Sequence, residues 1–343
     1  MTMTMEKAPV ATASDQMVRV RNLRVGFRTS HGVVQAVNGV DLDLARGETL
    51  AILGESGSGK SVTMRALIRL NPEHVTSVAG DIRVAGEDVS ALDAVALQDF
   101  RGLVASMIFQ DPGLALDPVY RVGDQIAETV VRHKGLSRAE GRKKALELFE
   151  RVRIPSPERR LDAYPHELSG GMRQRAMIAL ALSCDPQLLL ADEPTTALDA
   201  TVQIQILLLL RELQRDLGLS IIFVTHDIGV AVEVADRIAV MYAGRIVETG
   251  PSAALIRNPR HPYTIGLLST RQHGGKLAGH RLPAIPGSPP DLAHLPPGCA
   301  FAPRCTFAES RCTVIDPDAV IIDAGHSARC LRTDATAGAM AGR

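Results

Sequence analysis

The chain has 343 residues, 45% of them hydrophobic, which is enough for one large core and a smaller appended segment. Lysine plus arginine and aspartate plus glutamate number 38 each, so no overall basic charge favours a nucleic-acid partner. Apolar runs such as Ile204–Leu210 are far shorter than the roughly 18 apolar residues that a membrane helix needs. We therefore expect a protein that neither crosses a bilayer nor binds nucleic acid.

The first 16 residues contain neither a basic start nor an apolar segment. A secretory signal needs both, so we interpret residues 1–16 as a disordered leader of a cytosolic protein. Disulfides are not expected in that reducing compartment.

Apolar patterns predict short strands from Val18 to Leu53, with turns at His31-Gly32 and Arg46-Gly47. A glycine-rich loop follows the last of these strands, and residues 61–70 have a helical composition. Between about residues 92 and 168 the pattern is mostly helical, which predicts an inserted helical lobe.

Strands and helices alternate in the second half of the chain. The predicted elements are a helix over Met172–Ser183, a strand over Leu188–Asp192, a helix over Ala200–Leu217, a strand over Ile221–Thr225, a helix over Ile228–Val234 and a strand over Ile238–Tyr242. This alternation predicts an α/β core with a largely parallel sheet. Beyond about Leu268 the sequence becomes rich in proline and glycine, which predicts a C-terminal appendage.

The octapeptide Gly54-Glu55-Ser56-Gly57-Ser58-Gly59-Lys60-Ser61 matches the phosphate-binding loop pattern. Glycines let backbone N–H groups surround a phosphate, and the next helix adds the positive end of its dipole. Lys60 is expected to reach the β and γ oxygens, and Ser61 to bind Mg²⁺. The predicted nucleotide contacts in this segment are Gly54, Ser56, Gly57, Ser58, Gly59, Lys60, Ser61 and Val62.

An apolar strand, Leu188–Ala191, leads directly into Asp192 and Glu193. Asp192 is expected to hold the Mg²⁺ shell, and Glu193 to polarise the attacking water. Taken alone, such a carboxylate pair is equally typical of a solvated turn or a helix cap. Its place beside a phosphate-binding loop in one α/β unit favours the catalytic interpretation.

These features alone fit a GTPase or a recombinase-like motor as well as an ATPase. The segment Leu168-Ser169-Gly170-Gly171-Met172-Arg173-Gln174 separates these classes. Two glycines after a serine at a helix start expose backbone amides suited to a γ-phosphate. Because the chain already has its own phosphate-binding loop, we expect a partner's nucleotide to use this second site.

The segment Leu168–Gln174 resembles the signature motif of ABC transporter ATPases, and the resemblance covers roughly residues 18–250. It implies a RecA-like α/β core with an N-terminal antiparallel β subdomain and a helical subdomain over about residues 92–170. The ATPase domain would span residues 17–268, and a C-terminal region residues 269–343. Two ATPase chains would sandwich two nucleotides head to tail, with Ser169, Gly170, Gly171 and Gln174 contacting the partner's nucleotide.

Three further residues acquire roles from this resemblance. Gln110, after the strand-like Met107-Ile108-Phe109, would contact Mg²⁺ and sense membrane subunits. Asp199, in Ala197-Leu198-Asp199, would lie in the loop that crosses the dimer interface, and His226 would contact the γ-phosphate. Without this order of motifs, a lone glutamine or histidine is more often a surface or cap residue.

Phe27 is the best-placed aromatic residue for stacking on adenine. Residues 28–32 are inserted relative to the family pattern, which blurs the register. Packing in the core is the alternative role for this side chain.

The segment Asn258–Thr264 is similar to one found in the oligopeptide/dipeptide importer branch of these ATPases. That branch implies peptide substrates, with nickel or another small solute in some members. It also implies two multi-spanning permease subunits, a second and paralogous ATPase, an extracytoplasmic solute-binding protein, and a place on the cytoplasmic face of the inner membrane. A soluble ABC ATPase of DNA repair or translation is the main rival interpretation. A regulator in which a metal-binding tail senses redox state and gates the ATPase is the second.

Four of the five cysteines lie in the last fifth of the chain, namely Cys299, Cys305, Cys312 and Cys330. Their spacing fits neither common zinc modules nor ferredoxin-type runs. A cytosolic cluster of thiols still favours a metal over disulfides. Some members of the resembled branch carry a [4Fe-4S] cluster in this region, which implies these four residues as its ligands; zinc and free thiols are the alternatives. Cys184, outside this group, is expected to fill the core.

Overall fold

The computed structural model describes residues 15–30, 32–196, 198–272 and 285–339. Its strands are β1 (Gln16–Thr29), β2 (Gly32–Ala45), β3 (Thr49–Leu53), β4 (Thr76–Val84), β5 (Glu87–Asp88), β6 (Ala105–Ile108), β7 (Leu188–Asp192), β8 (Ser220–Thr225), β9 (Arg237–Tyr242), β10 (Arg245–Pro251), β11 (Val320–Asp323) and β12 (His326–Ala328). Its helices are α1 (Lys60–Ala66), α2 (Ala94–Leu103), α3 (Pro112–Ala115), α4 (Val122–Lys134), α5 (Arg138–Arg151), α6 (Pro157–Leu161), α7 (Gly170–Leu182), α8 (Ala200–Leu217), α9 (Ile228–Val234), α10 (Ser252–Arg257) and α11 (Pro262–Gln272).

The N-terminal strands form an antiparallel sheet in the order β2-β1-β4-β5. Along β1 and β2 the side chains alternate between the core and solvent, as expected of a sheet with one covered face. The predicted antiparallel subdomain is confirmed. Sequence patterns did not identify β4, because Ile82 and Val84 are its only buried residues and the rest of the strand is largely exposed.

The second sheet has eight strands in the order β11-β12-β10-β9-β3-β8-β7-β6. Strands β9, β3, β8, β7 and β6 are parallel neighbours, so the predicted parallel core is confirmed. All residues of β3, β7 and β8 are buried, which explains their uninterrupted apolar sequences. The carboxyl ends of these strands meet at one edge of the sheet.

Helices α4, α5 and α6 form the predicted helical lobe, and α7 leads from it back to the sheet. Helix α5 begins with a capping box in which Ser137 and Glu140 each bind the other's backbone N–H. One strand, β6, lies inside the region 92–170 and belongs to the parallel sheet. The lobe is therefore an insertion into the α/β core.

The C-terminal part joins the core directly. Strand β12 pairs with β10 through Glu248 opposite Ala328 and Thr249 opposite Ser327. Sequence patterns did not identify β11 and β12 because each spans only three or four residues. The predicted boundary at residue 268 lies inside α11.

Nearly all of the predicted leader, residues 1–14, lies outside the described residues, and β1 begins at Gln16. None of the helices in the described ranges combines the length and apolar character that crossing a bilayer requires.

Candidate functional site

The phosphate-binding loop connects the carboxyl end of β3 to the start of α1 at Lys60. A Cβ atom on Gly54 would lie 2.2 Å from the carbonyl oxygen of Met241, and one on Gly59 would lie 2.5 Å from that of Ala36. Gly59 also has a φ of 103°, which other residues rarely adopt. The loop therefore needs glycine for its close approach to neighbouring backbone.

Lys60 is almost fully buried at the centre of this loop, with 5% of its surface exposed. Its Nζ donates hydrogen bonds to the carbonyl oxygens of Gly54 (2.7 Å) and Glu55 (2.9 Å). Burial lowers the pKa of Lys60, while the carboxylates of Glu193, Asp192 and Glu55 oppose that shift. A cation held inside a glycine-rich turn is suited to an anionic ligand.

Ser61 and Asp192 meet between α1 and β7. The Ser61 hydroxyl donates to Asp192 Oδ1 at 2.7 Å, and Arg65 lies 3.5 Å from Oδ2. Burial raises the pKa of Asp192, and the contacts with Ser61 and Arg65 act against it. Hydroxyl and carboxylate oxygens are the ligands that Mg²⁺ prefers, so this pair fits a magnesium ion.

Side chains that follow β6 and β8 lie close to the carboxylate of Glu193, the residue directly after β7. Its Oε2 lies 3.2 Å from His226 Nδ1, 3.4 Å from Gln110 Nε2 and 3.0 Å from Thr196 Oγ1. Glu193 has a φ of 45°, and its N–H donates to the carbonyl of Val224 on β8. The ends of β6, β7 and β8 thus bring Gln110, Glu193 and His226 together.

The segment Ser169–Gly171 forms the start of α7. Ser169 caps the helix by accepting from the Met172 N–H at 3.3 Å. A Cβ on Gly171 would lie 2.9 Å from Val202 of α8, whose start Asp199 caps. Ser169 accepts its hydrogen bond from within α7, whereas Asp192 contacts Ser61 of the phosphate-binding loop and Glu193 contacts Gln110 and His226.

Family models match two parts of the chain: "ABC transporter" over residues 37–196, and "Oligopeptide/dipeptide transporter, C-terminal region" over residues 247–312. A protein of Brucella melitensis named for peptide import and ATP binding is 50% identical over 324 residues, covering 91% of this chain and 96% of its own. The chain belongs to the ABC transporter ATP-binding protein family. Another such Brucella melitensis protein is 48% identical over 331 residues, covering 96% of this chain and 97% of its own.

Solved structures agree with this assignment. A dimeric ATP-binding cassette, MJ0796, bound to ADP and Pi in a post-hydrolysis state, is 29% identical with a TM-score of 0.62. The alignment covers 69% of this chain and 99% of MJ0796. The cbiO1 cassette of Clostridium perfringens is 30% identical with a TM-score of 0.60, covering 70% of this chain and 90% of its own. The predicted ABC cassette fold and ATPase activity of the family are thereby confirmed.

Two predicted site residues, Phe27 and Asp199, make no contact with the cluster of Gln110, Glu193 and His226 among the contacts of the described residues. Phe27, near the end of β1, is paired with Val34 and Thr76 and packs partly buried against the core of the antiparallel subdomain. Its stacking on adenine stays a prediction. Ala197 lies outside the described residues, while Asp199 caps α8 through the N–H groups of Thr201 and Val202.

The four C-terminal cysteines of the ABC ATPase are free thiols that lie near one another. Burial raises the pKa of Cys330 to about 11, and the other three thiols add to that rise. Within residues 15–30, 32–196, 198–272 and 285–339, no group of three or more His, Cys, Asp or Glu side chains is arranged to hold a metal ion. The predicted [4Fe-4S] site is therefore not confirmed. Cys184 is buried in the core, as expected.

Sequence reasoning missed the C-terminal contacts of the phosphate-binding loop. Arg304 forms an ion pair with Glu55, and the hydroxyl of Tyr263 accepts a hydrogen bond from the Glu55 N–H. No local pattern could have revealed these contacts, because 249 and 208 positions separate the partners in sequence.

Proposed function

We propose that this ABC ATPase binds ATP with Mg²⁺ at the phosphate-binding loop. The buried Lys60 ammonium would face the β and γ phosphates, and Ser61, Asp192 and Gln110 would hold the metal. The buried Ser58 hydroxyl, which has no hydrogen-bond partner among the described residues, supports a ligand at this loop. When bound, Mg²⁺ neutralises charge on the phosphates.

The contacts of Gln110 and His226 with the Glu193 carboxylate support a role of Glu193 in ATP hydrolysis. Glu193 would accept a proton from the attacking water, because its carboxylate stands at the carboxyl ends of the parallel strands beside the loop. His226, 3.2 Å from that carboxylate, would orient the water and contact the γ-phosphate. Gln110 would position the same carboxylate from the β6 side.

We further propose that the complete site forms between two ATPase chains. The start of α7 offers the exposed Gly170 and the capping Ser169, whose hydrogen bonds leave the phosphate-binding loop untouched. A second chain placed head to tail would bring these amides to the first chain's nucleotide, with Gln174 and Asp199 beside the interface. The dimeric structure of MJ0796 supports this arrangement.

The cargo that we propose is a peptide. The relatives at 50% and 48% identity are named for peptide import, and the C-terminal region of oligopeptide/dipeptide transporters matches residues 247–312. The ATPase would act at the cytoplasmic face of the membrane with two permease subunits, a second and paralogous ATPase and an extracytoplasmic solute-binding protein. ATP-driven closure of the dimer would move the permease helices.

Gentle solubilisation and affinity purification of the tagged chain from its native cells would test this assembly. We expect mass spectrometry to identify two multi-spanning subunits, a second ATPase and a solute-binding protein. A strain lacking the chain should lose uptake of labelled di- and oligopeptides, and the wild-type gene should restore it. Copurification with nucleic acid or ribosomes, with peptide uptake intact, would instead support a role in DNA repair or translation.

We also propose a [4Fe-4S] cluster on Cys299, Cys305, Cys312 and Cys330. Backbone N–H groups already point at these sulfurs, from Phe307 to Cys305 and from Arg332 to Cys330, both at 3.3 Å. Such N–H groups stabilise thiolates bound to iron. The Cys299 N–H also donates to the Cys312 carbonyl at 2.9 Å, which joins two of the cysteine-bearing turns.

Anaerobic purification of the full chain should yield a broad absorbance near about 400 nm together with acid-labile sulfide. Replacing Cys305 or Cys330 by serine should remove both signals, because each substitution deletes one thiolate ligand. The matched control is Cys184→Ser, which should retain them, since that thiol is buried elsewhere in the core. Stoichiometric zinc without sulfide would replace the cluster by a zinc ion, and neither metal would mean free thiols.

A further inference from the structure

Glu55, the second residue of the phosphate-binding loop, is held through all of its polar groups. Arg304 binds the carboxylate with two hydrogen bonds, Nη1 to Oε2 at 2.6 Å and Nη2 to Oε1 at 3.0 Å. The backbone N–H donates to the Tyr263 hydroxyl at 2.8 Å, and the carbonyl accepts from Lys60 at 2.9 Å. Arg304 lies in the C-terminal region, and Tyr263 lies in α11, the helix that leads into it.

The guanidinium of Arg304 is itself fixed in place. Its side chain is 5% exposed, and its Nε donates to the carbonyl of Pro286 at 2.8 Å. The guanidinium carbon lies 5.8 Å from the ring centre of Tyr242 and 5.9 Å from that of Phe301. Hydrogen bonding to Glu55 raises the pKa of Arg304, so the guanidinium keeps its charge. A buried arginine held on several sides makes a rigid contact with the loop.

Tyr263 approaches the loop from α11. It is fully buried, and its ring packs against Tyr242 and Phe301 at centroid distances of 4.7 and 5.4 Å. Burial raises the pKa of Tyr263, so its hydroxyl stays neutral and can accept the Glu55 N–H. Tyr242, Tyr263 and Phe301 thus pack the two groups that contact Glu55, the Arg304 guanidinium and the Tyr263 hydroxyl, into one unit.

The segment Asn258–Thr264, which resembles one of the oligopeptide/dipeptide importer branch, anchors this unit to the sheet. The buried carboxylate of Glu248 on β10 accepts the N–H groups of Arg260 (2.7 Å) and His261 (2.9 Å), and lies 2.8 Å from His326 Nε2 on β12. Burial lowers the pKa of His261 to about 4, which leaves that ring neutral. The segment is therefore a joint between the parallel sheet and the C-terminal strands.

We propose that Arg304 and Tyr263 are positioning residues that hold the phosphate-binding loop in its nucleotide-binding shape, so that ATP affinity depends on the C-terminal segment. Arg304 also neutralises the Glu55 carboxylate, which would otherwise repel the phosphates at short range. This inference rests on the proposed nucleotide site. It gives the cysteine-containing segment a role in ATP use, because Arg304 directly precedes Cys305.

The test is titration of the full-length protein with a fluorescent ATP analogue in Mg²⁺, together with steady-state ATPase kinetics. Arg304→Gln should raise the Kd and the KM for ATP about tenfold, because a bidentate, charge-assisted contact is lost. Arg304→Lys, which keeps the charge, should recover part of the affinity. Tyr263→Phe keeps the aromatic packing and removes only the acceptor of the Glu55 N–H, so it should also raise the Kd.

The matched control is Arg311→Gln, which removes an arginine paired with Glu309 at the surface of the same segment, 62% exposed. Its Kd for ATP should equal that of the wild type. The double variant Glu55→Gln/Arg304→Gln should bind ATP no more weakly than Arg304→Gln alone, since the two side chains act as one pair. A role in folding alone would lower the melting temperature and the active fraction while leaving the Kd of the folded protein unchanged.

Unchanged Kd and KM in folded Arg304→Gln and Tyr263→Phe would overturn the inference. A Lys60 substitution separates that failure from failure of the nucleotide site itself. If Lys60→Met loses ATP binding while Arg304→Gln does not, the site stands and the positioning role falls. If Lys60→Met binds and hydrolyses ATP normally, the nucleotide site proposed for this loop is wrong.

Discussion

Glu193→Gln should abolish ATP hydrolysis and trap an ATP-bound dimer. The substitution keeps the size of the side chain and leaves Lys60, Ser61 and Asp192 in place, so ATP and Mg²⁺ still bind. It removes the carboxylate on which Gln110, Thr196 and His226 converge, and with it the proposed base. Loss of a positioned general base typically lowers the rate by about 10² to 10⁴.

Phosphate release and size-exclusion chromatography in MgATP would measure this result. Mixed with the second ATPase, the variant should elute as a dimer with ATP, whereas the wild type should return to monomer as ATP is consumed. Glu233→Gln, which changes an exposed carboxylate on α9, is the matched control and should hydrolyse ATP at the wild-type rate. Normal turnover in Glu193→Gln would remove this residue from the proposed role.

Lys60→Met should prevent the ATP-bound dimer that Glu193→Gln accumulates. It removes nucleotide binding, whereas Glu193→Gln removes only hydrolysis. The buried ammonium is the cation at the centre of the loop, and methionine has a similar length without charge. Loss of one preorganised electrostatic contact to the transition state typically costs about 10² to 10³ in rate. We expect no measurable turnover and no ATP-dependent dimer.

The substitution also leaves the carbonyls of Gly54 and Glu55 without their donor, so stability must be measured alongside activity. Each unpaired carbonyl is expected to cost about 1 to 3 kcal/mol, visible as a lower melting temperature. The control is Lys143→Met, an exposed lysine of α5 whose loss should change neither property. ATP-dependent dimerisation in folded Lys60→Met would contradict the assigned role.

The two variants together separate binding from chemistry. Glu193→Gln should accumulate the dimer that Lys60→Met cannot form, and the double variant should behave as Lys60→Met because binding precedes hydrolysis. A dimer of the double variant in MgATP would show that Lys60 is not required for closure.

The sequence by itself determined the local units of this protein. The phosphate-binding loop between β3 and α1 follows from glycine spacing, and the parallel core follows from short apolar strands alternating with helices. The order of Gln110, Ser169–Gly171, Asp192–Glu193 and His226 along the chain was sufficient to indicate an ABC ATPase. Such signals are readable because each depends on residues close together in sequence.

The tertiary structure alone decided how these units meet. Parallel pairing of β6, β7 and β8 brought Gln110 and His226 to the carboxylate of Glu193, although the three residues follow three separate strands. Strand β12 attaches the C-terminal part to β10. The contacts of Arg304 and Tyr263 with Glu55 join residues more than 200 positions apart. Such contacts arise from packing of the whole chain, because neither hydrophobic periodicity nor motif spacing encodes which distant side chains become neighbours.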